Sequence, residues 1–120
     1  MMANILLAED DDSMRNFLAR ALERAGYSVT SVDRGTEALP LIADGAYDLL
    51  LTDIVMPEMD GIELARRAQV VAPHMRVMFI TGFAAVALDQ QVNTPRGAKV
   101  LSKPFHLKDL VSEIDRLFAA

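Results

Sequence analysis

Asp48-Leu-Leu-Leu-Thr-Asp-Ile-Val-Met-Pro57 is the stretch that decides how this chain folds. Three leucines, Leu49 to Leu51, run into Thr52 and a lone carboxylate, Asp53. Ile54, Val55, Met56 and the turn former Pro57 follow. A short apolar run bounded by turn signals reads as a strand buried on both faces. Such strands belong to parallel sheets covered by helices. Asp53 then stands at the strand's carboxyl end, the edge where open α/β sheets bind ligands. A lone Asp there is equally a turn residue or a helix cap, so the choice rests on what else reaches that edge.

Upstream, Asn4-Ile-Leu-Leu-Ala8 is a second strand of the buried type, and it runs straight into Glu9, Asp10, Asp11 and Asp12. Met14, Phe17, Leu18, Ala21, Leu22 and Ala25 recur at helical spacing, with Asp12 or Ser13 as N-cap and Gly26 as the stop. Tyr27-Ser-Val-Thr-Ser-Val32 alternates and is rich in β-branched residues, which predicts a strand. Asp33-Arg-Gly35 turns the chain into a short helix over Thr36 to Asp44, ending at Gly45. Pro40 is tolerable in it only within the first turn.

Downstream, Asp60-Gly61 opens a helix with Ile62, Leu64, Ala65 and Ala68 inward, and Pro73 ends that connection. Met75 to Ile80 predicts a fourth strand, ending in Thr81-Gly82. Phe83 to Val92 predicts a weak, alanine-rich helix, and Ala98 to Leu101 a short fifth strand. After the turn Ser102-Lys-Pro-Phe105, a last helix carries Leu107, Leu110, Val111, Ile114, Leu117 and Phe118 on its apolar face. Strand and helix alternate five times, which implies a parallel sheet with helices on both faces. Right-handed crossovers bring every strand's carboxyl end to one edge.

Composition narrows the functions. The 120 residues suit one domain, and a hydrophobic share of 52% is that of a folded chain. With no cysteine there are neither disulfides nor thiolate metal sites, which suits a reducing cytosol. A net charge of −5 argues against direct nucleic-acid binding through a basic patch. No apolar run approaches the ~20 residues of a membrane span, and no signal peptide is legible at the start.

Four strands deliver polar groups to the common edge: Glu9 and Asp10 from the first, Asp53 from the third, Thr81 from the fourth, Lys103 after the fifth. In a flavodoxin-like order, 2-1-3-4-5, the first and third strands are neighbours and their carboxylates converge. Three carboxylates held together repel one another, and a divalent cation removes that conflict. With only oxygen ligands at hand, the ion of choice is Mg²⁺. Asp10, Asp53 and the backbone carbonyl of Val55 are the expected ligands, with Glu9 acting through water. A carboxylate beside Mg²⁺ can attack a phosphoryl group, and the Lys103 ammonium and Thr81 hydroxyl are candidates to steady its oxygens. Each piece has an ordinary alternative: a solvated acidic loop, a β-branched filler, a surface lysine. Their joint placement at four strand ends is what stands out.

Glu9-Asp10, Asp53 to Pro57 with Asp60-Gly61, Thr81-Gly82 and Lys103-Pro-Phe105 resemble the receiver domain of two-component response regulators, along essentially the whole chain. The resemblance implies a bacterial cytoplasmic signalling module, not a turnover enzyme. Asp53 would be its phosphoacceptor, charged by a sensor histidine kinase or a histidine phosphotransfer protein. Thr81 would be the switch hydroxyl and Lys103 the family's lysine. Val55 and Phe83 would flank the site and, being apolar, slow hydrolysis of the phosphoryl group. One departure is that Val100 stands where the family usually has a rotating Tyr or Phe.

Residues 1–120 would form one receiver with no output domain, acting by binding partners near Val100, Phe105 and His106; for Leu107, packing into the core is the favoured reading. The Leu117-Phe-Ala-Ala120 end also resembles C-terminal tags read by ClpX, so a role as adaptor or regulator of the ClpXP protease is a further expectation, beside an ordinary helix end. Other classes fit the residues less well. An aspartyl-phosphate-forming phosphatase commonly has a second Asp where this chain has Val55. A flavodoxin-type cofactor binder needs a phosphate loop where this chain is acidic. A phosphate sink or degenerate receiver is the remaining alternative, and the intact acidic pair, Thr81 and Lys103 count against the degenerate form.

Overall fold

The computed structural model describes residues 3–81, 99–102 and 106–119. Its elements are β1 (Asn4–Ala8), α1 (Asp12–Arg24), β2 (Ser28–Val32), α2 (Gly35–Asp44), β3 (Leu49–Asp53), α3 (Gly61–Val71), β4 (Arg76–Thr81), β5 (Lys99–Ser102) and α4 (Leu107–Ala119). The five strands form one parallel sheet in the order β2-β1-β3-β4-β5. This is the expected doubly wound arrangement. The helix expected over Phe83 to Val92 lies outside the described residues.

Strand periodicity of two builds both layers of the core. Leu6, Ala8, Leu50, Val77 and Phe79 face α2 and α3. Their neighbours Ile5, Leu7, Leu49, Leu51, Met78 and Ile80 face α1 and α4, against Leu18, Leu22, Leu110 and Ile114. Every β3 residue is buried, and each leucine taken out of water contributes roughly 1.5–3 kcal/mol. Leu107, Val111, Leu117 and Phe118 are half-buried against the second cluster. Leu107 therefore packs as core, and the chain end is helical through Ala119.

The helix ends show where local chemistry differs from expectation. The N-cap of α1 is Asp11, not Asp12 or Ser13: its carboxylate accepts from the Met14 N–H at 2.8 Å. Its C-terminus is closed by Gly26 at φ +104°, with the Tyr27 N–H donating to the Leu22 carbonyl and the Gly26 N–H to that of Glu23. Pro40 lies in the second turn of α2, beyond the first turn anticipated for it. There it removes the bond to the Thr36 carbonyl. Both residues are exposed, so water can serve that carbonyl, while Ala38 and Ile42 anchor the helix below. β4 starts one residue later than expected because the Met75 N–H turns back to Ala72; pairing begins with the Arg76 N–H on Asp48. Near the far end of the sheet the Tyr27 hydroxyl donates to Asp115. Burial and that carboxylate push the phenol up to about 12.

Candidate functional site

The carboxyl ends of β1 and β3 meet because the two strands are neighbours. Their register pairs Ala8 with Thr52, so one residue further Glu9 comes beside Asp53. Alternation along each strand sets both carboxylates on the side of Leu7 and Leu51. Glu9 is 0% exposed and Asp53 6%, while Asp10 is exposed. Carboxylate oxygens of the three lie within 4.8 Å of one another, and this is the metal-competent cluster found among the described residues.

Burying carboxylates is costly unless they are paired or hydrogen-bonded. Glu9 Oε2 accepts from the Asp11 N–H at 3.1 Å. Asp53 Oδ1 accepts from the Val55 N–H at 3.3 Å. The Glu9 backbone is tied twice: its N–H donates to Val32 at 3.1 Å, and its carbonyl accepts from Arg15 Nη1 at 2.9 Å. Arg15 Nη2 also donates to Asp12 Oδ1 at 2.6 Å. At the neighbouring end of β2, the Arg34 guanidinium beside Asp33 holds that carboxyl below the usual carboxylate range.

The loop after Asp53 is fixed by backbone fit. A Cβ at Gly61 would stand 2.0 Å from the Asp53 carbonyl oxygen, so only glycine admits this approach. The Gly61 N–H donates to the Ile54 carbonyl at 2.8 Å, and the Ile54 N–H to Ile80 at 3.2 Å. Between them Glu58 adopts a left-handed φ of +71°, with Thr36 donating to its carboxylate at 3.3 Å and Arg34 at 3.6 Å from it. Asp60 caps α3 by accepting from the Glu63 N–H at 2.8 Å.

Among the other candidates, Val55 is 53% exposed beside Asp53. Thr81 ends β4 and pairs with Ser102, the last residue of β5. Val100 is half-buried and packs against the α2/α3 side of the core. His106 is exposed, and its carbonyl accepts from the Asp109 and Leu110 N–H groups at the start of α4. Phe83, Lys103 and Phe105 lie outside the described residues. Sequence reasoning missed Arg15 as a partner of the acidic loop, though an arginine one turn beyond an acidic cap is a usable signal. It also took Gly61 for a turn former only; the contact that requires glycine is visible only in three dimensions.

No helix among the described residues is long and apolar enough to cross a membrane. The response regulator receiver domain family matches residues 5–115. The chain is 61% identical over 119 residues to the response regulator receiver protein CpdR of Brucella abortus (strain 2308), covering 99% of both chains. It is 38% identical to part of the sensor kinase CckA of the same strain, covering 96% of this chain and 12% of the kinase. A solved response regulator receiver protein from Sinorhizobium medicae WSM419 superposes with a TM-score of 0.90 at 32% identity, covering 99% of this chain and 96% of that one. With the sheet order, the acidic edge and these likenesses together, the chain belongs to the response regulator receiver domain family.

Proposed function

We propose that Asp53 accepts a phosphoryl group from a phosphohistidine, and that the adduct changes which proteins the chain binds. The observation that carries this reading is the convergence of Glu9, Asp10 and Asp53 within 4.8 Å at the carboxyl edge. An all-oxygen donor set of that charge suits Mg²⁺. Asp10, Asp53 and the Val55 carbonyl would ligate it directly. Glu9, which already accepts from the Asp11 N–H, would act through water. When bound, the ion supplies charge compensation for the phosphoryl oxygens.

In the transfer, an Asp53 carboxylate oxygen attacks phosphorus. The phosphorus–nitrogen bond of the donor breaks as the oxygen–phosphorus bond forms. Its electron pair stays on the ring nitrogen, and the imidazole leaves neutral after taking up one proton. The Val55 N–H holds the carboxylate in orientation, and burial of Asp53 limits competing water. Lys103, next in sequence after Ser102, is the proposed ammonium on the transferring group, and Thr81 the proposed hydroxyl. Phe83 and Val55 are proposed to slow hydrolysis of the adduct.

The donor would be a sensor histidine kinase or histidine phosphotransfer protein in a bacterial cytoplasm, a setting that membership of the family supports. Output would come through Val100, Phe105 and His106, and ClpX is a proposed partner. Phosphorylation can shift binding only by stabilising one of two conformations more than the other.

The test is incubation with acetyl phosphate and Mg²⁺, followed by intact-mass measurement. Wild type gains about 80 daltons, one phosphoryl adduct, and Asp53→Asn gains nothing. No adduct on wild type, or an equal one on the variant, removes the proposal. The two wild-type forms, applied to immobilised ClpX, should be retained unequally; if neither is retained, ClpX is not a partner.

A further inference from the structure

We infer that Arg15 is the positioning residue of the metal site. It would set the shape of the acidic loop through the Glu9 backbone rather than touch the phosphoryl group. The inference rests on the proposed Mg²⁺ site. Its starting point is that one guanidinium, with a side chain only 17% exposed, bonds the Glu9 carbonyl at 2.9 Å and the Asp12 carboxylate at 2.6 Å. Those acceptors bracket Asp10 in sequence. The fork of Arg15 therefore spans the loop that carries one proposed metal ligand, Asp10, and closes onto the backbone carbonyl of Glu9, whose own carboxylate belongs to the cluster.

Two effects of removing Arg15 oppose each other. Losing a positive charge near carboxylates favours a cation at that edge. Losing the bond to the Glu9 carbonyl frees the loop and takes away preorganisation. The charge effect is small, because Arg15 is neutralised by Asp12 and Asp12 is 82% exposed to water. The geometric effect is larger. The Arg15 bond to the carbonyl is charge-assisted and mostly shielded from solvent, and a metal site tolerates little freedom in its ligands. Loss of preorganisation therefore wins, and Mg²⁺ binding weakens. Lysine cannot replace this arginine, since a single ammonium lacks the planar fork that reaches both acceptors.

The measurement is calorimetric titration of Mg²⁺ alone into wild type, Arg15→Ala, Arg15→Lys and Asp12→Asn. The expected result is a dissociation constant raised about tenfold in Arg15→Ala, the worth of one charge-assisted hydrogen bond. Arg15→Lys should recover only part of this, and Asp12→Asn, which keeps the carbonyl bond, should stay within about twofold of wild type. Amide exchange without metal gives an independent readout: the Asp11 N–H, bonded to Glu9, should exchange faster in Arg15→Ala. Tighter Mg²⁺ binding by Arg15→Ala would mean that only charge matters and would overturn the inference. So would an unchanged constant with a lowered melting temperature, the mark of a merely structural role. If wild type itself binds no Mg²⁺, the metal-site reading fails first and this inference falls with it.

Discussion

Two loops meet at the carboxyl edge, and they are held by different means. The loop after β1 is shaped by side chains: Asp11 caps α1, the Glu9 carboxylate accepts from the Asp11 N–H, and Arg15 spans Glu9 and Asp12. The loop after β3 is shaped chiefly by the main chain: Gly61 lies against the Asp53 carbonyl, and the Gly61 N–H donates to the Ile54 carbonyl. Side-chain contacts can be weakened singly, each for a modest cost. A backbone fit has no slack, since any added atom must displace the chain. The first loop should therefore respond to substitution by degrees and the second all at once.

The largest expected effect is at Gly61. Alanine there would set its Cβ 2.0 Å from the Asp53 oxygen, so β3 or α3 must shift. Gly61→Ala should cost about 3 kcal/mol, lower the melting temperature by about 10 °C, and abolish phosphorylation of whatever remains folded. A calorimetric scan with the mass assay checks both. A loss of less than about 1 kcal/mol would show that the second loop has slack, and the contrast would collapse.

Helix caps test the intermediate range. Asp11→Ala and Asp60→Ala each remove one cap bond at 2.8 Å, and each should cost about 1 kcal/mol in urea unfolding. A clearly larger cost at Asp60 would mean that side chains carry more of the second loop than its backbone contacts imply.

The smallest effect is expected at Glu58. Its left-handed backbone, φ +71°, costs about 1 kcal/mol, which Glu58→Gly relieves. Glycine gives back roughly 0.5–1 kcal/mol in chain entropy, and the exposed contacts with Arg34 and Thr36 are worth a few tenths of a kcal/mol. The variant should stay within about 0.5 kcal/mol of wild type by urea unfolding. A loss beyond about 1 kcal/mol would move Glu58 to the side-chain-held class.

The sheet was legible from sequence because buried strands announce themselves. Leu49 to Leu51 and Ile5 to Leu7 are apolar on both faces, and only a sheet covered on both sides uses them. The acidic edge was legible for the same reason: once the strands are aligned, the residues after them share an edge. Details that depend on a partner elsewhere were not legible. Asp11, rather than Asp12, caps α1 because Asp11 keeps an extended backbone at the helix entry while Asp12 is already helical. Strand β5 runs Lys99–Ser102, one residue later than expected at its carboxyl end, because its register is dictated by Met78 to Thr81 across the ladder. Pro40 in the second turn breaks the local rule for helices, and anchoring of α2 through Ala38 and Ile42 outweighs it. The place of Gly61 against Asp53 leaves only a glycine in the sequence, and glycines have many causes.

Because β1 lies between β2 and β3, the site has no local precursor. Glu9 and Asp10 leave the ribosome well before Asp53, and the first βα unit alone holds an acidic loop with nothing opposite it. The third strand must be synthesised and must add itself beside the first before the carboxylates face one another. A nascent or half-unfolded chain thus lacks the assembled acidic edge, so the proposed phosphorylation of Asp53 would double as a check that the polypeptide has finished folding.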